Sequence, residues 1–428
     1  MTNFNIRRYK NFGIISPVPE GRLATTLLKF MSYTRQGAEF MPNPEWAIIK
    51  LYSIKKGTFP WGFKKLVDKV MKQWCSVPIS NDSYVLDVKE RKKLLSIKTN
   101  ALRPYQNDAV RALYDNDGGL LQMPTGSGKT KTIIEWLKIL DLPATVVVQT
   151  LDIKAQWNKQ IIGTKIRCIN HQSKLVEQFV EESDVLVFDE AHHVAAKTIY
   201  TIAMKAKSDT IIAGCSATTK RDDGEDMRIQ AAIGDVVYSI SRRELIDQGF
   251  LADADVEYHT TSFDSSQDRV LNYAEIYKKH VVENVYRNAI IQNEVCVNIL
   301  KGKKILILVS QIEHGQTIFD NLPDYYNKIF LNGGSKKEIR EQDLTQFDVI
   351  IATSIFDEGV DLPSLDVIIL AAGGKSSVKL TQRVGRVLRP QEGKKALIID
   401  FIDTPKYLIE HYKRRRSILE VDFMVVEV

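Results

Sequence analysis

Short runs of apolar residues alternate with amphipathic helical patterns from about residue 100 onward. Val, Ile and Leu fill these runs continuously, which is typical of central strands in parallel sheets that helices cover on both faces. Strands that alternate with helices predict a doubly wound α/β architecture. The runs are GLLQM (119–123), ATVVVQ (144–149), DVLVF (184–188), TIIAG (210–214), KILILV (304–309), DVIIAT (348–353) and DVIIL (366–370).

The N-terminal part of the chain has a different pattern. Strand-like pieces, FGIISPV and WAIIKLYSI, lie next to the helical patterns RLATTLLKFMSY and GFKKLVDKVMKQW, and KERKKLLSIK (89–98) is either a final helix or a linker. Further along, the sequence from Phe250 to Lys279 is more polar and less regular, which indicates a domain boundary near its start. We therefore expect a small α+β domain at 1–98 and two α/β domains at 99–250 and 251–428.

Length and composition agree with a multidomain globular protein. At 428 residues the chain is too long for one hydrophobic core. No apolar run reaches the roughly 18 residues that a membrane helix needs. The N-terminal MTNFNIRRYK has no apolar segment after its basic residues, so we expect no secretory signal and a cytoplasmic protein. The four cysteines are far apart and suggest neither a disulfide framework nor a cysteine metal site.

Charge is unevenly distributed along the chain. Residues 1–100 contain 18 Lys and Arg against 7 Asp and Glu, a net charge of +11, whereas the remainder contains 41 against 46, a net charge of −5. A basic block on a near-neutral body favours a polyanion partner such as nucleic acid. The alternative interpretation is a solvated basic face.

The stretch QMPTGSGKTKTIIEWL (122–137) follows one apolar run and begins a helical pattern. Its glycines let successive backbone N–H groups face one centre, where the helix N-terminus adds partial positive charge. Met123 replaces the first glycine of the strict G-x-x-x-x-G-K-[ST] pattern, but the glycines beside the lysine form the cradle. An ordinary glycine-rich loop is the alternative. The predicted ATP-binding residues are Pro124, Thr125, Gly126, Ser127, Gly128, Lys129, which neutralises phosphate oxygens, and Thr130, whose hydroxyl binds Mg²⁺.

The apolar run DVLVF leads directly into two carboxylates, Asp189 and Glu190. Ligands of parallel sheets bind beyond the carboxyl ends of the strands, so this pair and the phosphate loop should face one crevice. Asp189 is predicted to hold Mg²⁺ beside the phosphates. Glu190 is predicted to orient and deprotonate the attacking water.

These motifs occur in a longer series. DEAH (189–192) and PTGSGKT (124–130) are accompanied, in order, by RPYQ (103–106), VVVQT (146–150) with QW (156–157), SAT (216–218), KILILVSQIEHGQTI (304–318), IIATSIFDEGVDLPSLD (350–366) and QRVGRVLR (382–389). Over about residues 100–400 the chain resembles superfamily 2 helicases and translocases. The resemblance implies two tandem RecA-like domains that use ATP and Mg²⁺.

The resemblance also implies roles for individual residues. Arg386 and Arg389, supplied by the second α/β domain, would stabilise the charge of the phosphoryl transition state, and such an arginine contributes roughly 10³–10⁵ in rate. Hydrolysis would then loosen the two domains from each other. Further ATP-site residues would be Arg103, Gln106, Gly359, Asp361 and Gln382. Residues that couple the nucleotide to domain closure would be His192, Ser216, Ala217 and Thr218.

Polar residues at several strand ends are candidates for nucleic-acid binding. In the family, such groups hold the phosphates of one tracked strand, and phosphate contacts position a protein without reading sequence. The candidates here are Gln149, Thr150, Ser310, Gln311, Thr353 and Ser354. Gly333 lies in FLNGGSKK (330–337), which resembles a further backbone-binding loop of the family or else is an ordinary turn.

The placement of RPYQ resembles that of DNA motors related to RecG and XPB and of restriction-enzyme motors. The order of elements in the N-terminal domain is similar to that of the phage UvsW helicases. This likeness implies a DNA helicase that remodels branched DNA in recombination, replication and repair, by Holliday junction branch migration or fork reversal, and that acts as a monomer. The aromatics of FPWGF, Phe59, Trp61 and Phe63, are candidates for a wedge at the fork, or else belong to the core.

Two other functions fit the same residues. The chain could be the motor subunit of a larger DNA-processing complex such as a restriction system, which would have little activity alone. It could also be a nucleotide-gated nucleic-acid clamp that does not translocate. The presence of Glu190 and the arginines disfavours a clamp, because a clamp does not need fast hydrolysis.

Overall fold

The computed structural model describes residues 4–74, 80–82, 101–218, 225–261, 268, 270–335, 343–353, 365–374 and 395–427. The chain divides into two compact units. The first unit is Met1–Pro124 with Gly128–Ile240, and the second unit is Ser241–Val428 with Thr125–Ser127. Among the described residues, no helix combines the length and the apolar character needed to cross a membrane.

The N-terminal module (residues 4–74 and 80–82) is a small α+β structure within the first unit. A four-stranded sheet has the order β5-β2-β1-β6, in which β2 is antiparallel to β5 and β1, and β1 is parallel to β6. Strands β3 and β4 form a separate antiparallel pair. The elements are β1 (Asn5–Tyr9), β2 (Phe12–Ser16), α1 (Gly21–Phe30), β3 (Ser32–Thr34), β4 (Ile48–Lys50), β5 (Thr58–Pro60), α2 (Lys64–Trp74) and β6 (Ser80–Asp82).

Two amphipathic helices close the core of this module. Leu23 and Leu27 of α1 and Val67 and Met71 of α2 are buried together, at the i, i+4 spacing that places side chains on one helix face. The strand predicted in WAIIKLYSI is shorter than expected. A 3₁₀ helix, Pro44–Ala47, precedes β4, because Pro44 fixes its own backbone angle and Asn43 accepts a hydrogen bond from the Glu45 N–H at 2.9 Å.

The rest of the first unit is built on a six-stranded parallel sheet with the order β12-β7-β11-β10-β8-β9. Leu186 and Phe188 face one hydrophobic core, and Val185 and Val187, which alternate with them, are also fully buried. Both faces are therefore covered, as the continuous apolar runs predict. The elements are α3 (Pro104–Asp115), β7 (Gly118–Gln122), α4 (Lys129–Leu140), β8 (Ala144–Val148), α5 (Leu151–Gln160), β9 (Ile166–Asn170), α6 (Val176–Glu182), β10 (Val185–Asp189), α7 (Lys197–Ala203), β11 (Ile211–Ser216), α8 (Asp226–Ile233) and β12 (Val236–Ser239).

The second unit contains a seven-stranded parallel sheet with the order β15-β16-β14-β17-β18-β13-β19. Residues of β14 alternate between two cores, since Leu306 and Leu308 face one and Ile305 and Ile307 face the other. The elements are α9 (Arg242–Asp247), β13 (Asp253–Thr260), α10 (Tyr273–Tyr277), α11 (Val285–Leu300), β14 (Ile305–Leu308), α12 (Ile312–Asn321), β15 (Lys328–Leu331), β16 (Val349–Ala352), β17 (Val367–Ile369), β18 (Lys395–Ile402), α13 (Leu408–Leu419) and β19 (Met424–Glu427).

The predicted fold class, two doubly wound parallel α/β sheets preceded by a small α+β region, is confirmed. One strand was not among the predicted apolar runs. The polar stretch after Phe250 contains the eight-residue strand β13, which pairs along its whole length with β18. Its alternating polar side chains hid it, because a strand in a parallel sheet was expected to be continuously apolar.

Candidate active site

The phosphate loop connects β7 to α4, and two glycines shape it. Gly126 and Gly128 have φ angles of 88° and 80°, in the left-handed region that glycine adopts at little cost. A Cβ atom on Gly128 would also lie only 2.4 Å from the Gln106 side-chain nitrogen. Gly128 is the N-cap of α4, so the first N–H groups of that helix are available to an anion.

The residues predicted to read adenine lie beside this loop. Gln106 is almost fully buried, and its side-chain oxygen accepts a hydrogen bond from the Arg103 N–H at 3.0 Å. Its amide nitrogen lies 3.4 Å from the Gly128 carbonyl oxygen. Arg103 caps α3 and donates to the Tyr105 hydroxyl at 3.3 Å. The start of α3 is thereby tied to the phosphate loop.

Lys129 and the two carboxylates meet at the carboxyl edge of the sheet. Strand β11 separates β7 from β10, and the three strands run parallel, so their carboxyl ends share one edge. The Lys129 ammonium nitrogen lies 3.8 Å from Glu190 Oε1 and 3.4 Å from the Met123 carbonyl oxygen. Glu190 has a φ of 47°, a left-handed conformation that is uncommon for a residue with a side chain and that marks functional sites.

Asp189 is held by three donors. Trp157 Nε1 donates to Asp189 Oδ2 at 2.8 Å, and the Glu190 N–H and Cys215 Sγ contact Oδ1 at 3.0 and 3.3 Å. Trp157 lies in the QW pair of the sequence, but the pattern around that pair does not predict this contact. Its position on α5, after β8 at the same sheet edge, was the available signal. These donors fix the carboxylate orientation before any cation arrives.

The two acids have opposite pKa shifts. Burial raises the pKa of Asp189, and the negative charge of Glu190 raises it further, whereas the Trp157 hydrogen bond and Lys129 oppose both effects. Burial alone would also raise the pKa of Glu190, but Lys129 and then His192 outweigh it, so the pKa of Glu190 is lowered. Glu190 is therefore ionised at neutral pH, as a group that accepts a proton must be.

The residues present fit an ATP site with Mg²⁺. The loop offers a backbone cradle, and Asp189 is a buried carboxylate whose ionisation a nearby cation would favour. Asp189 and Thr130 would hold Mg²⁺, and Lys129 would bind phosphate oxygens. The ion supplies positive charge that offsets the charge developing on the transferred phosphoryl group. Glu190 would orient the attacking water and take its proton.

The predicted coupling residues form a connected chain. His192 Nδ1 lies 3.0 Å from the Ser216 hydroxyl and 3.4 Å from Glu190 Oε2. Ser216 donates in turn to the Thr218 carbonyl oxygen at 2.6 Å, across Ala217. Glu190, His192 and Ser216 therefore lie next to one another at the carboxyl edge of the sheet, and their role in coupling stays a prediction.

The candidate nucleic-acid contacts lie at the carboxyl edges of the two sheets, each in its own unit. In the first unit, Gln149 and Thr150 follow β8, and the Thr150 hydroxyl caps α5 by accepting from the Ile153 N–H at 3.2 Å. In the second unit, the adjacent strands β14, β16 and β15 end just before Ser310 and Gln311, Thr353, and Gly333. Ser310 and Gly333 are exposed and Thr353 is buried. Their contact with nucleic acid stays a prediction.

Several predicted residues lie outside the described part of the chain. They are Ser354, Gly359, Asp361, Gln382, Arg386 and Arg389. Their assigned roles stay predictions.

The wedge hypothesis is wrong for two of its three residues. Phe59 and Phe63 are 0% and 1% exposed and belong to the core of the N-terminal module, so neither can reach a fork. Trp61 is partly buried, stacks on Phe59 with ring centroids 6.4 Å apart and lies under the Arg8 guanidinium at 5.2 Å. Phe59 faces the core from β5. Phe63 faces it from a 3₁₀ helix, Trp61–Phe63, that leads into α2.

Comparisons with known proteins agree with this geometry. Residues 287–391 match the family described as "Helicase conserved C-terminal domain", and residues 99–178 match "Type III restriction enzyme, res subunit". The DNA 3'-5' translocase XPB2 of Sulfurisphaera tokodaii is 25% identical over 373 residues, which span 73% of this chain and 84% of that protein.

Solved structures share the fold. Dbp5 of S. cerevisiae, bound to RNA and ADP BeF3, matches 80% of this chain and 94% of its own at 13% identity, with a TM-score of 0.55. The crystal structure of T4 UvsW covers 100% of this chain and 99% of its own at 17% identity, with a TM-score of 0.45. At that score the shared architecture is too approximate to carry the preference for branched DNA, which stays a prediction.

The two parallel sheets thus resemble the RecA-like domains of helicases in fold, and the roles of the lysine and the two carboxylates stay predictions. Two family models of helicases and related motors thus match the chain, which is an ATP-dependent hydrolase similar to the superfamily 2 helicases and translocases.

Proposed function

We propose that this protein is an ATP-driven DNA translocase that remodels branched DNA, by migrating a junction or reversing a fork. DNA as the track is supported by the XPB2 relative, whose name gives a DNA 3'-5' translocase. It is supported further by the net charge of +11 over residues 1–100. Exposed lysines of the N-terminal module that can contact phosphates are Lys29, Lys50, Lys55, Lys56, Lys69 and Lys72.

The observation that carries the proposal is the rigid docking of this basic module on the ATP-binding sheet. The buried Asn11 amide donates to the Ala203 and Ala232 carbonyl oxygens at 3.2 and 2.8 Å. At Gly62 the backbones approach so closely that a Cβ atom would lie 1.9 Å from the Gln230 carbonyl oxygen. Ala231 of α8 is part of the module core. The module therefore packs directly on the sheet that carries the phosphate loop, within one compact unit.

Such an arrangement suits a motor that pulls on one arm while another domain tracks a strand. Plain unwinding works against about 1.4 kcal/mol of stacking per base-pair step. Branch migration forms one pair for each pair that it breaks, so its net cost is near zero. A compact motor then needs only to bias the direction of movement, and a rigidly held duplex arm provides that bias.

Two exposed aromatics replace the buried ones as candidates for contact with the branch point. Phe40 and Trp46 are 86% and 71% exposed, and both lie in the segment between β3 and β4. Exposed aromatic rings stack on unpaired bases for roughly 1–3 kcal/mol per base. The change Trp46→Ala should therefore weaken junction binding by about tenfold or more and leave ATPase activity without DNA unchanged. Fluorescence anisotropy with a labelled junction measures the first, and Tyr325→Ala, an equally exposed residue of the second unit, is the control.

The test of the main proposal is a synthetic four-way junction with ATP. Purified protein should convert the junction to duplex products, and Lys129→Ala should abolish the conversion. Lys131→Ala is the matched control, because Lys131 is an exposed lysine on the same helix. Protein that binds the junction and hydrolyses ATP but leaves the junction intact would refute branch remodelling.

A second candidate is the motor subunit of a larger DNA-processing complex. It is favoured by the match of residues 99–178 to "Type III restriction enzyme, res subunit". This function predicts DNA-stimulated ATPase activity with no remodelling by the isolated chain. A nucleotide-gated clamp predicts that ATP releases the junction without net movement along the DNA. Displacement of a third strand from duplex DNA distinguishes the two, because a translocase displaces that strand and a clamp does not.

A further inference from the structure

Three potential metal ligands gather on one face of the second unit. Glu257 and His259 are two residues apart on β13, so their side chains leave the same face of the sheet. Helix α11 packs over this face and contributes Glu294. The His259 ring nitrogen and the carboxylate oxygens of both glutamates can lie within 4.8 Å of one another.

His259 is the residue whose environment requires an explanation. It is only 8% exposed, and among the described residues its Nε2 atom has no hydrogen-bond partner. A buried polar atom without a partner costs about 1–3 kcal/mol. The nearest acid oxygen, Glu294 Oε1, is 3.8 Å away, which is longer than the roughly 2.7–3.2 Å of a hydrogen bond.

A bound ion accounts for this separation. Zn²⁺ holds His nitrogens and carboxylate oxygens at about 2.0–2.2 Å, and in a tetrahedral site two such ligand atoms lie about 3.4 Å apart. The distance of 3.8 Å between His259 Nε2 and Glu294 Oε1 is close to this spacing. Small rotations of the two carboxylates would complete the site.

A neighbouring amide orients one of the ligands. Asn298, one helical turn after Glu294, is 1% exposed. Its side-chain nitrogen donates to the Glu294 main-chain oxygen at 2.8 Å and approaches Glu294 Oε2 at 3.4 Å. The other carboxylate oxygen, Oε1, is then left facing His259. Hydrogen bonds that orient a ligand in this way are typical of metal sites.

We propose that Glu257, His259 and Glu294 bind one divalent transition-metal ion of the Zn²⁺ class. One imidazole with two carboxylates suits Zn²⁺, Co²⁺ or Mn²⁺, whereas Mg²⁺ prefers oxygen ligands only. The ion fastens α11 to β13 and so stabilises the second unit. Its three ligands belong to the second unit, whereas Asp189 and Glu190 belong to the first unit.

The test is isothermal titration calorimetry of the full chain with ZnCl₂ in the absence of nucleotide. One Zn²⁺ should bind per chain, and His259→Gln or Glu294→Gln should abolish binding. Asn298→Ala should weaken the affinity about 10–100-fold, because it removes only the orienting amide. His171→Gln and Asp189→Asn are controls that should bind Zn²⁺ as the unaltered protein does, because neither residue belongs to the cluster.

Thermal unfolding gives an independent readout. Zn²⁺ should raise the melting temperature of the unaltered protein and of Asp189→Asn, whereas Mg²⁺ without nucleotide should not. If His259→Gln does not fold, Asn298→Ala and Glu257→Gln decide the matter by the same titration. Zn²⁺ binding of undiminished affinity in these variants, or no uptake of Zn²⁺, Co²⁺ or Mn²⁺ by the unaltered protein, would overturn the proposal.

Discussion

Both parallel sheets carry buried charges at their carboxyl ends, but they compensate them differently. In the first unit, Asp189 and Glu190 share Lys129, which approaches Glu190 only to 3.8 Å. In the second unit, Asp403 lies between two arginines, with Arg287 at 2.5 Å and Arg415 at 2.9 Å, and Arg415 also contacts Asp400 at 2.8 Å. The first cluster has two carboxylates and one ammonium group, whereas the second has two carboxylates and two guanidinium groups.

The matched cluster is a structural device. Arg415 also donates to the Gly374 and Phe401 carbonyl oxygens at 3.1 and 3.2 Å, and Arg287 donates to the Ala371 carbonyl oxygen at 3.0 Å. These bonds hold the ends of β17 and β18 together. Buried ions that are fully paired fix a conformation, whereas buried acids with incomplete compensation, as in the first unit, are typical of ligand-binding and catalytic sites.

The largest expected effect comes from the uncompensated cluster. Glu190→Gln should lower kcat for ATP by about 10²–10⁴, because the general base is lost, while ATP affinity is retained. Steady-state ATPase kinetics measure this, with Glu182→Gln, an exposed glutamate of the same unit, as the control. An unchanged kcat would show that Glu190 is not catalytic. The two clusters would then not differ in function.

The second prediction concerns the matched cluster. Arg415→Ala should reduce the free energy of unfolding by about 3–5 kcal/mol, because it leaves the buried Asp400 and Asp403 without their shared partner. Denaturant unfolding measures the loss, and Lys413→Ala, an exposed neighbour on the same helix, should change stability by less than about 1 kcal/mol. A similarly small effect of Arg415→Ala would show that this cluster does not stabilise the unit.

The smallest expected effect concerns the hydrogen bond from Trp157 to Asp189 and the pH dependence of ATPase activity. Trp157→Phe removes a hydrogen bond to the charged form of the carboxyl group, so the already raised pKa of Asp189 should rise further. Protonated Asp189 cannot bind Mg²⁺, so the acid limb of the kcat/KM profile should move to higher pH. The pH dependence of ATPase activity measures this shift.

Trp136→Phe is the matched control for that experiment. Trp136 is a fully buried tryptophan of the first unit whose indole N–H has no hydrogen-bond partner among the described residues. Its loss should leave the acid limb in place. A shift of equal size in both variants would mean that altered packing, rather than the hydrogen bond to Asp189, moves the profile.

Much of the fold was predictable because each central strand of a parallel sheet is a continuous apolar run that can be recognised locally. The seven apolar runs correspond to β7, β8, β10, β11, β14, β16 and β17, each within a few residues. Strand β13 escaped this reasoning, since the residues on its face toward α11, among them Glu257 and His259, are polar. The polarity that hid the strand is also what forms the candidate metal site beneath α11.

The sequence itself determined the chemistry of the nucleotide site. Gly126, Gly128 and Lys129 lie within four consecutive residues, and Asp189 and Glu190 stand at the end of a strand. Contiguous residues keep their geometry in any fold that preserves the strand and the helix. Only the tertiary structure decided which distant groups meet them or replace them. It brought Trp157 to Asp189, turned Phe59 and Phe63 into the core while Trp46 stayed exposed, and paired Asp403 with Arg287 across 116 positions of sequence. Such contacts depend on the packing of whole sheets and helices, and no local pattern encodes them.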